Sequence, residues 1–234
     1  MDNRIEFKVF GKYALFTDPI TRIGGEKCSY HIPTYQALKG IAEAIYWKPT
    51  IKWIVDKVRI IKPIQTQTKG IKTILYKGSG NDLAIYTYLH DVEYQVSAHF
   101  EWNEAREDLV RDRNENKHYF IAKRMLERGG KRDVFLGARE CGAYVEPCIF
   151  GSGEGAYDNI EELSYGIMFH SFDYPSENKE EKLYTRLWYA TVKRGVISFP
   201  RPEECTIKTF VKDMSCYNPK TIGVDIEYDK AVIL

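Results

Sequence analysis

From Val92 to Trp102 the chain alternates without a fault. Val92, Tyr94, Val96, Ala98, Phe100 and Trp102 fall on one side of an extended backbone, and Glu93, Gln95, Ser97, His99 and Glu101 fall on the other. A period of two excludes a helix and requires a strand with one face against a core. The segments around it carry complementary signals. Ile5, Phe7 and Val9 alternate with Glu6 and Lys8, and Gly11 suggests a bulge before Tyr13 and Leu15. Asp18 to Ile32, holding Gly24 and Gly25, reads as a loop. Pro33 suits the first turn of a helix in which Ala37, Leu38, Ile41, Ala42 and Ile45 recur at helical spacing until Pro49 stops it, so Tyr46 falls in the last turn.

A second strand region runs from Ile51 to Ile64, with Lys57 and Arg59 pointing away from the face of Val58 and Ile60. Two β-prone runs between Ile71 and Leu89, around Gly78 to Asp82, read as a hairpin inserted between core strands, with Lys69 and Lys72 at its base. A second helix is expected from about Glu115 to Arg128, with Ile121, Ala122, Met125 and Leu126 inward and Gly129-Gly130 closing it. Val134 to Leu136 begins a fourth strand, interrupted at Gly137 and resumed near Tyr144. The order β-α-β-β-α-β predicts an α+β chain: a ferredoxin-like (RRM-like) domain over residues 1–147, two helices covering one face of its sheet, with the hairpin inserted. After Pro147 helical periodicity disappears. Short strands near Tyr165 to Phe172 and Tyr184 to Val192 predict a smaller antiparallel β-rich domain over residues 148–234.

The formal net charge is only +1, which argues against a protein that coats nucleic acid over its whole surface. The distribution is uneven. Between Lys48 and Lys77 eight basic residues face the single acid Asp56, a net +7 that suits phosphate tracking. Five cysteines, Cys28, Cys141, Cys148, Cys205 and Cys216, form no CxxC or Cys/His cluster, so neither a zinc site nor a disulfide framework is indicated and a reducing cytoplasm is the expectation. No segment approaches the roughly 20 apolar residues of a membrane span. Gly151 to Gly155 is glycine-rich, but no strand-to-helix transition accompanies it and no Gly-Lys-Ser/Thr follows, so it is not read as a nucleotide loop.

Asn116-Lys117-His118 stands at the start of the second helix. A lysine and a histidine side by side can carry RNA cleavage without a metal, because the reaction needs a proton acceptor near the attacking 2′-hydroxyl and a cation beside the phosphorane charge. Tyr46, at the end of the first helix, completes the candidate set. A metal nuclease would need converging carboxylates. Glu104, Asp108 and Asp112 have helical spacing, but they lie in a charge-dense stretch that reads as exposed.

The run from Asp133 to Cys141 leading to Ala143-Tyr144-Val145, the opening Val9-Phe10-Gly11, the Pro33-Thr34-Tyr35 helix start, the Asn116-Lys117-His118-Tyr119 turn and the basic second strand occur in an order that resembles one family. The chain is similar to the CRISPR-associated Cas-five family of the RAMP superfamily, subtype I-C (Dvulg) branch. That resemblance implies an endoribonuclease that cuts the precursor CRISPR transcript at its repeat stem-loop and stays on the guide as a subunit of a type I-C interference complex. Implied partners are the CRISPR repeat RNA and the backbone and large subunits of that complex, with no membrane and no cofactor.

The family's catalytic tyrosine, lysine and histidine match Tyr46, Lys117 and His118. In these roles His118 is the general base, with general acid as the alternative, Lys117 stabilises charge on the nonbridging oxygens, and Tyr46 positions the 2′-hydroxyl or the phosphate. Lys57, Arg59 and Lys69 are expected on RNA phosphates, with Arg124 and Arg139 as further candidates. Two competing readings remain: a guide-capping subunit that does not cut, and an unrelated ferredoxin-like metabolic or regulatory domain, which the basic strand and hairpin disfavour.

Overall fold

The computed structural model describes residues 3–19, 21, 25–74, 80–178 and 180–214. In it the Val92–Trp102 alternation is the inner half of one 22-residue strand. The elements run β1 (Arg4–Ala14), α1 (Tyr35–Ile45), β2 (Ile51–Ile60), β3 (Thr66–Ile74), β4 (Asn81–Trp102), α2 (Glu115–Glu127), β5 (Val134–Phe135), β6 (Gly142–Pro147), β7 (Glu162–Asp173), α3 (Pro175–Asn178), β8 (Lys182–Lys193), β9 (Val196–Ser198) and β10 (Ile207–Asp213). The described chain is thus a mostly antiparallel sheet with few helices. The sheet order is β10-β8-β9-β2-β4-β1-β6-β5, with β3 on the outer half of β4 and β7 on β8.

The hairpin is not a separate insertion. β3 pairs with the outer half of β4 from Thr66↔Leu89 to Ile74↔Asn81, and the inner half of the same strand continues into the core between β1 and β2. The tip expected at Gly78-Ser79 lies outside the described residues. On the core half, Val92, Tyr94, Val96, Ala98 and Phe100 are buried as the alternation requires, but Gln95 and Ser97 are buried too. The second face is therefore covered as well.

Several local expectations change for identifiable reasons. Gly11 makes no bulge, because β1 keeps one register from Arg4↔His99 to Ala14↔Leu89; a Cβ there would stand 3.0 Å from both the Gly142 carbonyl and Leu136. Close approach of the β5–β6 hairpin accounts for that glycine. Pro33 precedes the helix: Thr34 is the N-cap and accepts from the Ala37 N–H at 3.3 Å. Tyr46 is the extended C-cap of α1, one residue past the helical backbone. Strand β2 stops at Ile60, and the expected interrupted fourth strand is a hairpin in which β6 pairs with β1 and β5 folds back on β6.

The sequence boundary at 147/148 is bridged. β9 pairs with β2 through Lys57↔Ser198, Val58↔Ile197 and Arg59↔Val196, and Met168, Trp188, Ala190, Ile197 and Phe199 join one hydrophobic core with Phe7, Trp53 and Val96. The segment after Pro147 crosses the sheet face opposite the helices. Glu6 accepts from the Phe150 N–H at 2.9 Å, and the Gln95 carboxamide accepts from the Gly151 N–H at 2.9 Å.

Arg59 is drawn into this seam and is not a free phosphate ligand. Its side chain donates to Asp158 at 2.6 and 3.2 Å and to the Ser152 and Gly153 carbonyls at 3.2 and 2.9 Å, and the residue is 6% exposed. Lys57 and Arg59 share the face of Ser97 and Gln95, but the 152–158 segment lies over Arg59 and leaves Lys57 exposed. Arg59 is buried, whereas Asp158 keeps about a third of its side chain exposed, so removing the guanidinium costs its hydrogen bonds more than it strands a charge. Arg59→Met should therefore lower unfolding free energy by about 2 kcal/mol in urea titrations. Lys57→Ala should stay within about 0.5 kcal/mol of the parent.

Candidate active site

Strand pairing brings the two helix ends together. Ile51 opens β2 directly opposite Trp102, which closes β4, so the chain entering β2 from α1 and the chain leaving β4 towards α2 emerge side by side. Asn103 fastens them: its N–H donates to the Thr50 carbonyl at 2.9 Å and its carboxamide to the Pro49 carbonyl at 3.2 Å. From below, the Trp53 indole N–H donates to the Tyr46 carbonyl at 2.7 Å. The far end of α2 also grips α1, since the Lys131 and Arg132 N–H groups donate to the last carbonyls of α1, Ala44 and Ile45.

A 3-10 turn, Glu107–Asp112, leads to the Asn114 N-cap of α2, whose side chain accepts from the Lys117 N–H at 3.0 Å. His118 then sits one turn into the helix on its inward face and is fully buried. Its Nδ1 lies 2.8 Å from the Tyr46 hydroxyl and its Nε2 lies 2.9 Å from the Asp112 carbonyl oxygen. A carbonyl can only accept, so Nε2 carries a proton, and in the neutral imidazole Nδ1 receives the Tyr46 O–H. The rings of Phe100 and Trp102 wall the imidazole at centroid distances of 6.1 and 5.7 Å.

Asp112 organises the polar side. One carboxylate oxygen accepts from the Lys117 ammonium and the other from the Thr50 hydroxyl at 2.7 Å, the latter oxygen standing 3.5 Å from His118 Nε2. Those contacts, with Lys117 foremost, hold the Asp112 carboxyl below the usual carboxylate range. Burial, then the Asp112 charge, push the Tyr46 phenol up to about 12. Tyr46 is therefore a neutral donor near pH 7.

Tyr46, Lys117 and His118, named from the sequence, thus meet through Asp112. Lys117 alone among the three is substantially exposed, and it shares with Arg124 an open groove of about 550 Å³ along α2 that Asn116, Phe120 and Lys123 also line. Arg139 is exposed on the β5–β6 turn. Lys69 lies 3.2 Å from the ring centroid of Tyr13 and 5.4 Å from that of Tyr88, a cation–aromatic cluster at the hairpin base.

Glu104 and Asp108 do not join Asp112. They pair with Arg113 at 3.3 Å and Arg106 at 2.8 Å. Sequence reasoning missed Asp112 and Thr50 as parts of the site. A cation in the first turn of a helix opposes the helix dipole, and that conflict at Lys117 is the signal for a nearby anion.

Known proteins supply an independent comparison. The model of the family Cas_Cas5d, described as CRISPR-associated protein (Cas_Cas5), matches residues 4–200. A Mannheimia succiniciproducens protein named CRISPR pre-crRNA endoribonuclease Cas5d is 29% identical over 227 residues, covering 86% of this chain and 96% of its own. A crystal structure of a CRISPR-associated protein superposes with a TM-score of 0.76 at 37% identity, covering 89% of this chain and 97% of that one. A functionally uncharacterized protein from Streptococcus mutans superposes with a TM-score of 0.74 at 36% identity and the same coverage.

Removing the Tyr46 hydroxyl leaves His118 Nδ1 buried without a donor. Tyr46→Phe should cost about 1–3 kcal/mol at neutral pH, read by urea unfolding. Because folding raises the Tyr46 pKa, its contribution is complete below the ordinary tyrosine value near 10 and is lost as pH rises from about 10 towards 12. Over that interval the parent should lose more stability than Tyr46→Phe; parallel curves would contradict the assignment.

Proposed function

The chain belongs to the CRISPR-associated Cas5 family, and we propose that it is an endoribonuclease that cleaves precursor CRISPR RNA at the repeat stem-loop and remains on the guide as a subunit of a type I-C interference complex. The observation that carries this reading is the 2.8 Å contact between Tyr46 and His118 beside Lys117. Three residues from two elements, separated by about seventy positions, gather the groups that metal-free RNA cleavage needs. The core order β2-β4-β1-β6, with α1 joining β1 to β2 and α2 joining β4 to the β5–β6 hairpin, is read as the ferredoxin-like arrangement.

In the proposed reaction the 2′-hydroxyl attacks the adjacent phosphorus in line. Its proton passes to the Tyr46 oxygen as the phenol proton passes to His118 Nδ1, so the tyrosine stays neutral and an imidazolium forms. The P–O5′ bond breaks, leaving a 2′,3′-cyclic phosphate on one fragment and a 5′-oxygen that takes a proton from solvent on the other. Lys117, released from Asp112 by the incoming phosphate, stabilises the extra charge on the nonbridging oxygens. Arg124, in the same groove, Lys69 at the hairpin base, and the exposed Lys57 and Arg139 track the RNA backbone. A hairpin-shaped repeat is recognised largely by shape and by its unpaired flank. The backbone and large subunits of the complex are the proposed protein partners, and the cytoplasm the proposed compartment. No helix among the described residues is long and apolar enough to cross a membrane.

The complete burial of His118 favours a second reading, a guide-capping subunit that binds without cutting. Incubation of the chain with a repeat stem-loop RNA in excess chelator separates the two. A discrete cut ending in a 2′,3′-cyclic phosphate supports the enzyme; tight binding to uncut RNA supports the capping subunit. For the enzyme, Lys117→Ala should slow single-turnover cleavage about 100- to 1000-fold. His118→Ala should abolish cleavage with RNA affinity nearly intact. RNA affinity should fall steeply with salt concentration, as counterion release demands.

A further inference from the structure

Resting on the ribonuclease reading above, we infer that Asp112 is a positioning residue for cleavage: it fixes the proton-bearing nitrogen of His118, supplies the anion that the imidazolium needs, and holds Lys117 beside it. The geometry is specific. The Asp112 main-chain carbonyl takes the Nε2 proton at 2.9 Å, which directs the Nδ1 lone pair at Tyr46. Its carboxylate is anchored by the Thr50 hydroxyl at 2.7 Å and stands 3.5 Å from the same Nε2. When the proton from the 2′-hydroxyl arrives through Tyr46, a positive charge appears on a side chain that is fully buried. The elements around it offer little else to balance that charge. The end of α1 presents the neutral phenol of Tyr46, β4 presents the rings of Phe100 and Trp102, and α2 itself presents Lys117, a like charge. The Asp112 carboxylate faces the imidazole from the 3-10 turn at 3.5 Å, close enough to balance the charge electrostatically while the ring N–H itself bonds the main-chain carbonyl.

The same carboxylate also restrains Lys117. In the free chain the lysine is paired with it, so an RNA phosphate competes with Asp112 for that cation. The two roles separate in one variant. Asp112→Asn keeps the main-chain carbonyl and a group that can hydrogen-bond to Thr50 but deletes the charge. Single-turnover cleavage of the repeat stem-loop in chelator should fall about 10- to 100-fold while RNA affinity is unchanged or slightly tighter. An anion beside the imidazole favours its protonated form. Deleting it should therefore move the acid limb of the rate–pH profile to lower pH. Thr50→Val, which removes the anchor and keeps the charge, should give a smaller loss of rate with the limb unmoved.

Cleavage by Asp112→Asn at the parental rate with an unshifted limb, while His118→Ala is inactive, would overturn the role of Asp112 and leave the ribonuclease reading standing. An equal fall in rate and affinity with the limb unmoved would mark Asp112 as merely structural and overturn it as well. If the parent chain binds the stem-loop without cutting it, the ribonuclease reading itself fails, and the role of Asp112 with it.

Discussion

The hydrogen-bonded register in which Ile51 faces Trp102 decides the geometry of the whole site. Two neighbouring antiparallel strands carry chain in opposite directions, so the segment arriving at β2 and the segment leaving β4 are adjacent by construction. Asn103 then ties one to the other through both its main chain and its side chain, and the Trp53 indole pins the Tyr46 carbonyl from the core. A slip of one residue in that ladder would turn every side chain to the other face. Trp53 and Phe100 would leave the core, and Tyr46 would lose the partner that sets its height beside His118.

Once that frame is set, the polar groups arrange themselves by the cost of burial. An imidazole enclosed by aromatic rings must have both nitrogens satisfied, and the Tyr46 hydroxyl and the Asp112 carbonyl do so with opposite polarity. Asp112 carries three loads at once: the His118 proton, the Thr50 hydroxyl and the Lys117 ammonium. The phenol, pushed up to about 12, donates at neutral pH and does not ionise. A cation at the start of α2 works against the helix dipole and gains its compensation from outside the helix.

The basic second strand shows the same economy with a different outcome. Lys57 and Arg59 are two residues apart, yet one faces solvent and the other is enclosed by Asp158 and the carbonyls of Ser152 and Gly153. Arg59 fastens the chain after Pro147 across the sheet, which explains why Gln95 and Ser97 are buried although their alternation marked that face as wet. Coverage of both faces near the centre and direct pairing of β9 with β2 make one continuous sheet of what reads in sequence as two units.

Local information was enough for much of this. The alternation of Val92 to Trp102, the helical spacing from Ala37 to Ile45, the glycine pair that ends α2, and the order of strands and helices all follow from contacts between residues a few positions apart, where period and capping chemistry operate. Tyr46, Lys117 and His118 could be named as a candidate set from their residue types at helix ends. What the tertiary structure alone decided is which distant groups meet: Asp112 with Thr50 and His118, Arg59 with Asp158, Gly11 with the β5–β6 turn. Burial and ion pairing depend on distances between elements tens of residues apart, and those distances exist only after the strands have chosen their neighbours and register.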